Sequence, residues 1–137
     1  MDCLFVYGTL RSGYGHPLGV VLETEAKFLG VGYVHGYLYD LGEYPGIRLD
    51  PTTENRVIGE VYQLDYPDQM FPEFDYYEGV SEIYSPEFPY RRVKGTVFIE
   101  NEPYPYVWMY EYHGDTADLP QIMHGDYLVF LKDRKSK

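Results

Sequence analysis

Two short segments hold residue types able to do chemistry. The first is Val6-Tyr7-Gly8-Thr9-Leu10, followed by Arg11-Ser12-Gly13. A strand that ends at Gly8 can turn sharply and leave successive backbone N–H groups aimed at one point, a nest for carboxylate or phosphate oxygens. Glycine there also lets a ligand approach the backbone closely. An ordinary strand-ending turn has the same composition. The second is Phe74-Asp75-Tyr76-Tyr77-Glu78-Gly79. It sets Glu78 at a helix end among aromatic rings. A carboxyl in apolar surroundings ionises with difficulty, so its pKa rises from about 4.3 towards neutrality. Such a group can both accept and donate a proton. Most glutamates at helix ends are simply solvated, and spacing alone does not single this one out. Asp75, one turn earlier, suits pairing with a base or capping a loop.

Two further segments are aromatic and basic. In Pro89-Tyr90-Arg91-Arg92-Val93, an arginine could grip a ligand carboxylate with both arms of its fork, or offset nearby acids on a surface strand. Trp108-Met109-Tyr110-Glu111-Tyr112 alternates as a half-buried strand does. Other chemistries lack their signatures. His16, His35, His113 and His124 are scattered, without metal-ligand spacing. No serine-nucleophile elbow, phosphate loop or dinucleotide fingerprint occurs. The one thiol, Cys3, sits in the apolar run Cys3-Leu4-Phe5-Val6 and reads as a small core hydrophobe. Any chemistry must run on carboxylates, hydroxyls and backbone.

The elements that must position these residues are short strands cut by Gly, Pro and Asp. Cys3 to Tyr7 reads as a buried strand ended by Gly8. Leu18, Val21 and Leu22 recur at helical spacing, which predicts a helix over Pro17 to Glu25. Ala26 to Asp40 reads as one long strand whose internal glycines mark bulges or bends, the device by which a small barrel turns its corners. Tyr44-Pro45-Gly46 is a turn into Ile47-Arg48-Leu49, and Val57 to Leu64 alternates as a strand. Asp65 to Tyr77 is the best helical region. Its prolines predict a turn near Pro67, a helix proper from Pro72 and a stop at Gly79. Arg91 to Glu100 and Tyr104 to His113 form a hairpin around Asn101-Glu102-Pro103. The last element is Tyr127 to Leu131. Regular strand–helix alternation is absent, so the expected fold is α+β: a compact mixed β-barrel with a few short helices. Residues 1–131 form one domain and 132–137 a basic, solvated tail.

The chain has 137 residues, 18% of them aromatic, with 17 tyrosines and a net charge of −11. One domain with a single core suits that length. The negative surface repels phosphate backbones and anionic membranes, so neither nucleic acid nor membrane is an expected partner. A single cysteine allows no intrachain disulfide, no apolar run matches a membrane span, and a cytoplasmic setting is expected.

Taken in order, the segments resemble the gamma-glutamylcyclotransferase-like superfamily. Phe5-Val6-Tyr7-Gly8-Thr9-Leu10 with Arg11 and Gly13 is similar to its Tyr-Gly-Thr/Ser-Leu signature. Phe74-Asp75-Tyr76-Tyr77-Glu78-Gly79 resembles its Leu-Asp-x-x-Glu-Gly segment, which carries the catalytic glutamate. Tyr90-Arg91-Arg92-Val93, Val107-Trp108-Met109-Tyr110 and Ile122-Met123-His124-Gly125-Asp126-Tyr127 are similar to its later strands and closing segment. The nearest branch includes gamma-glutamylamine cyclotransferases. The stretch between Glu78 and Tyr90 departs by its length, and there Tyr84 competes with Tyr90 for the family's tyrosine position. The resemblance implies a cofactor-independent release of 5-oxoproline from a gamma-glutamyl amide or amine. Glu78 would be the acid/base, and Tyr7, Gly8, Thr9, Leu10, Tyr90 and Arg91 would line the substrate site. A non-catalytic module binding a small carboxylate on the same fold is the alternative.

Overall fold

The computed structural model describes residues 2–78 and 89–135. Six strands, β1 (Cys3–Val6), β2 (Ala26–Asp40), β3 (Pro45–Leu49), β4 (Arg56–Leu64), β5 (Tyr90–Ile99) and β6 (Glu102–Tyr112), form one sheet. Its order is β1-β4-β2-β3-β6-β5, and a further β1–β6 pairing closes β1, β4, β2, β3 and β6 into a ring. β1 and β3 run parallel to β6, and the remaining pairs are antiparallel. This is the α+β mixed barrel expected from the sequence. Three helices accompany it: α1 (Pro17–Glu25), α2 (Pro67–Glu78) and α3 (Tyr127–Lys135).

Side-chain alternation along the strands divides the interior in two. Phe5 of β1, Tyr7 just after it, and Val57 and Val61 of β4 point into the barrel, with Val34, Leu38, Ile47 and Met109. Leu4 and Val6 of β1 and Tyr62 and Leu64 of β4 point outward, under α1 and α2, against Leu22, Met70, Phe71 and Phe74. β1 is therefore apolar on both faces, which explains why its sequence is an unbroken apolar run.

The long strand β2 carries the expected irregularity. Phe28 pairs with Tyr62 and Gly30 with Val61, so Leu29 is the extra residue of a bulge. The hairpin turn is tighter than expected. Ile99 pairs with Glu102, which leaves Glu100 and Asn101 as the two-residue loop. Both have positive φ, 52° and 67°, as the twist-matched hairpin turn requires.

α2 also differs from expectation. It starts at Pro67, where a missing N–H costs nothing, and runs through Pro72 without a break. Pro72 removes the bond to the Asp68 carbonyl, at about 3 kcal/mol for a helix interior. Burial of Met70, Phe71 and Phe74 on the inner face offsets this, at roughly 1.5–3 kcal/mol each. The continuous helix is what delivers Glu78 to its position. Gly79 and Tyr84 lie outside the described residues.

The third correction concerns the C-terminal end. Asp126 accepts from the N–H groups of Leu128 (3.1 Å) and Val129 (3.3 Å), capping a helix that continues to Lys135. Lys132 and Arg134 fall in its last turn, where basic residues complement the helix dipole. Most of the segment expected as a tail is thus helical. No helix among the described residues is long and apolar enough to cross a membrane.

Candidate active site

A cavity of about 730 Å³ opens where β1 ends. Six parts of the chain converge on it: the end of β1 with the loop after it, the segment from Gly42 to Pro45, the C-terminal end of α2, the start of β5, β6 at Tyr110, and α3. Of the residues singled out from the sequence, Tyr7, Gly8, Thr9, Leu10, Glu78 and Tyr90 all border it. Arg91 does not. It lies on β5 opposite Glu111, away from the cavity-lining set.

Glu78 is half-buried at the last position of α2. Loss of water around its carboxyl, and secondly the Asp75 carboxylate one turn earlier, push its pKa up to about 8. Asp75 does pair with a base: Arg92 Nε donates to its Oδ1 at 2.9 Å, and Tyr110 OH donates to the same oxygen at 2.7 Å. Arg92 is thereby committed to α2, and its guanidinium lies over the rings of Phe71 (4.1 Å) and Trp108 (4.5 Å).

The tyrosine hydroxyls near Glu78 hold the frame. Tyr7 OH donates to the Tyr110 carbonyl at 2.5 Å and accepts from the Ile47 N–H at 3.2 Å. Tyr90 OH donates to the Pro45 carbonyl at 2.8 Å. Thr9 Oγ1 and Tyr77 OH share a hydrogen bond. These contacts strap the end of β1 to β3, β6 and α2, and β5 to β3. Burial raises the pKa of Tyr7, and to a similar end that of Tyr90 and Tyr110, so all three stay neutral walls. Glycine at position 8 also has a packing cause. A Cβ there would meet the Pro45 ring at 2.6 Å, so the close approach of the first residue of β3 favours glycine.

Several lining residues carried no sequence signal of their own. Tyr44, Pro45, Tyr77, Tyr110 and Tyr127 complete the walls. Tyr44-Pro45 read as a turn and Tyr110 as strand core; both readings are compatible with lining a cavity. Arg11 is a second case. It is buried, with Nε 3.2 Å from Glu60 Oε2 and Nη1 2.8 Å from Asp126 Oδ1. Glu60 also accepts from the Ser12 N–H and Tyr62 OH. This network anchors the Tyr7 to Leu10 loop from behind and ties it to the start of α3. Among the described residues no group of His, Cys, Asp and Glu could hold a metal ion.

Comparison with known proteins agrees with this architecture. The family model described as "Gamma-glutamyl cyclotransferase, AIG2-like" matches residues 4–129. No curated protein matches the chain. Among solved structures, the solution structure of ytfP from Escherichia coli is 32% identical, over 97% of this chain and 98% of that one, with a TM-score of 0.63. A crystal structure of an AIG2-like protein from Mus musculus is 27% identical, over 93% of this chain and 88% of that one, with a TM-score of 0.63. PH0828 from Pyrococcus horikoshii, at 23% identity over 99% and 98% of the two chains and a TM-score of 0.67, shares the fold. With a match that runs from β1 into α3 and takes in both chemistry-bearing segments, the chain belongs to the gamma-glutamyl cyclotransferase, AIG2-like family.

Proposed function

We propose that the protein is a cyclotransferase that releases 5-oxoproline from a gamma-glutamyl amide or amine. The observation that carries this reading is a carboxyl of raised pKa, Glu78, bordering the same cavity as the Tyr7 to Leu10 loop. In the reaction, the substrate's α-ammonium gives a proton to the Glu78 carboxylate. The freed amine attacks the γ-carbonyl carbon and forms the new C–N bond of a five-membered ring. The old C–N bond then breaks as Glu78 returns its proton to the departing amine. The ring nitrogen, still carrying a second proton, sheds it to solvent, and the released amine takes one up to become an ammonium. Two protons thus leave the α-nitrogen and two reach the leaving amine, and no cofactor enters.

A pKa of about 8 suits both directions of transfer near neutral pH. Because the nucleophile is internal, holding the glutamyl chain folded supplies much of the rate. The backbone of Gly8, Thr9 and Leu10 is the proposed seat of the α-carboxylate, and the neutral rings of Tyr7 and Tyr90 enclose the reacting centre. A cytoplasmic setting fits a chain with one cysteine.

The test is 5-oxoproline release from a panel of gamma-glutamyl dipeptides and gamma-glutamyl amines. Turnover that falls about 100-fold or more in Glu78→Gln is expected, in line with the weight of general acid–base catalysis. Turnover indifferent to that substitution, or none across the panel, overturns the reading.

A further inference from the structure

The cavity extends well past Glu78. Its 730 Å³ lies in the range for whole small-molecule ligands, of which a glutamyl group fills a small part. Glu43 to Pro45 run along the wall from the side of Tyr127 to the side of Tyr90. The Pro45 carbonyl accepts from Tyr90 OH. The carbonyl of Glu43, an exposed residue, accepts from Tyr127 OH at 3.4 Å. From Tyr127 the cavity wall continues along α3 to Leu131 and Arg134. These three are spaced by four and three residues, so they form one stripe on one helix face.

The stripe consists of an aromatic ring, an aliphatic chain and a guanidinium. Arg134 is the one cation among the described lining residues. Its side chain is about half exposed, 5.5 Å over the Phe130 ring and at the 3.9 Å limit of ion-pair distance from Asp40. The fork is therefore held near the mouth without being consumed by a tight partner. Glu43 also borders this end, but it is exposed on the rim. The family match covers residues 4–129, and Leu131 and Arg134 lie just beyond it on α3.

We propose that this face of α3 is the subsite for the leaving amine and selects amines that carry a carboxylate beside an apolar body. Arg134 receives the carboxylate, while Tyr44, Tyr127 and Leu131 receive the apolar part. The inference rests on the cyclotransferase reading for the orientation of the substrate. A polycationic leaving amine would bring its charge against Arg134 and is disfavoured.

A matched pair tests it: gamma-glutamyl-leucine and gamma-glutamyl-isopentylamine differ only by the carboxylate. Binding of each is measured calorimetrically to the Glu78→Gln protein, which needs no turnover, and again with Arg134→Gln or Arg134→Lys added. The expected result is about tenfold tighter binding of the leucine compound, as one charge-assisted contact gives. That ratio should collapse towards one with Arg134→Gln and persist in part with Arg134→Lys. Equal binding of the pair, a ratio that survives Arg134→Gln, tighter binding of gamma-glutamyl-putrescine, or no binding at all overturns the subsite. Turnover by the unsubstituted protein judges the cyclotransferase reading separately.

Discussion

Asp75 and Glu78 stand one helical turn apart on α2, and the carboxylate of the first raises the proton affinity of the second. Arg92 and Tyr110 hold Asp75 in place from β5 and β6. The acid/base strength of Glu78 thus depends on a contact between a helix and two strands. Among the described residues, Tyr7, Tyr77, Tyr90 and Tyr110 also interact with Glu78, and their raised pKa values keep them neutral, so Asp75 is the charge that raises it.

The pH profile follows from this. If ionised Glu78 takes the proton, kcat/KM rises with pH through a midpoint near 8. Removing the Asp75 charge with Asp75→Asn lowers that midpoint, since one of the two causes of the raised pKa is gone. Desolvation, the larger cause, keeps it above the ordinary glutamate range. A pH–rate series on both proteins measures the shift.

Stability should show the same group with the opposite preference. Above about pH 4.5 an unfolded Glu78 is ionised, while the folded protein holds its proton to about pH 8. The folded state binds more protons across that window, so this residue makes stability fall as pH rises from 4.5 to 8 and then level off. Each tenfold difference in proton affinity is worth about 1.4 kcal/mol. Glu78→Gln removes the slope. Its melting temperature should match wild type below pH 4.5 and exceed it above pH 8, in a scan across that range.

The buried network of Arg11, Glu60 and Asp126 should be unforgiving. Arg11→Met leaves the Glu60 carboxylate buried with its opposite charge removed. Breaking such a pair costs about 3–5 kcal/mol. Denaturant unfolding of Arg11→Met should show a loss of that order, and replacing Arg11 and Glu60 together by apolar residues should recover part of it.

Gly8→Ala tests the packing of the cavity floor. The added methyl meets the Pro45 ring at 2.6 Å, so the start of β3 must move. A loss of about 1–3 kcal/mol is expected from overpacking. The Tyr90–Pro45 hydrogen bond shifts with it, so substrate KM should rise as well. Unfolding and steady-state kinetics measure the two effects.

Local patterns in the sequence carry much of this fold. Helical spacing and the flanking Pro17 locate α1, and the glycine-punctuated run over Ala26 to Asp40 coincides with β2. The misplaced features have non-local causes. Pro72 stays helical because Met70, Phe71 and Phe74 are buried by strands elsewhere in the chain. Arg11 lies 49 residues from Glu60 and 115 from Asp126, a distance at which no local pattern announces a pair. The same holds for the site. Glu78 and the Tyr7 loop are visible as motifs through family resemblance, whereas Tyr44, Tyr110 and Tyr127 become cavity walls only once the barrel closes.

The tyrosine-rich composition has an optical consequence. Among the described residues seven tyrosines, Tyr7, Tyr14, Tyr44, Tyr77, Tyr90, Tyr110 and Tyr127, ring one cavity, while the single tryptophan, Trp108, lies outside it against Phe71 and Arg92. A ligand entering the cavity perturbs phenol absorption and near-ultraviolet dichroism and leaves the indole band to report on the α2–β6 contact. The molecule therefore carries two separate spectral channels, one for occupancy and one for integrity, without any label.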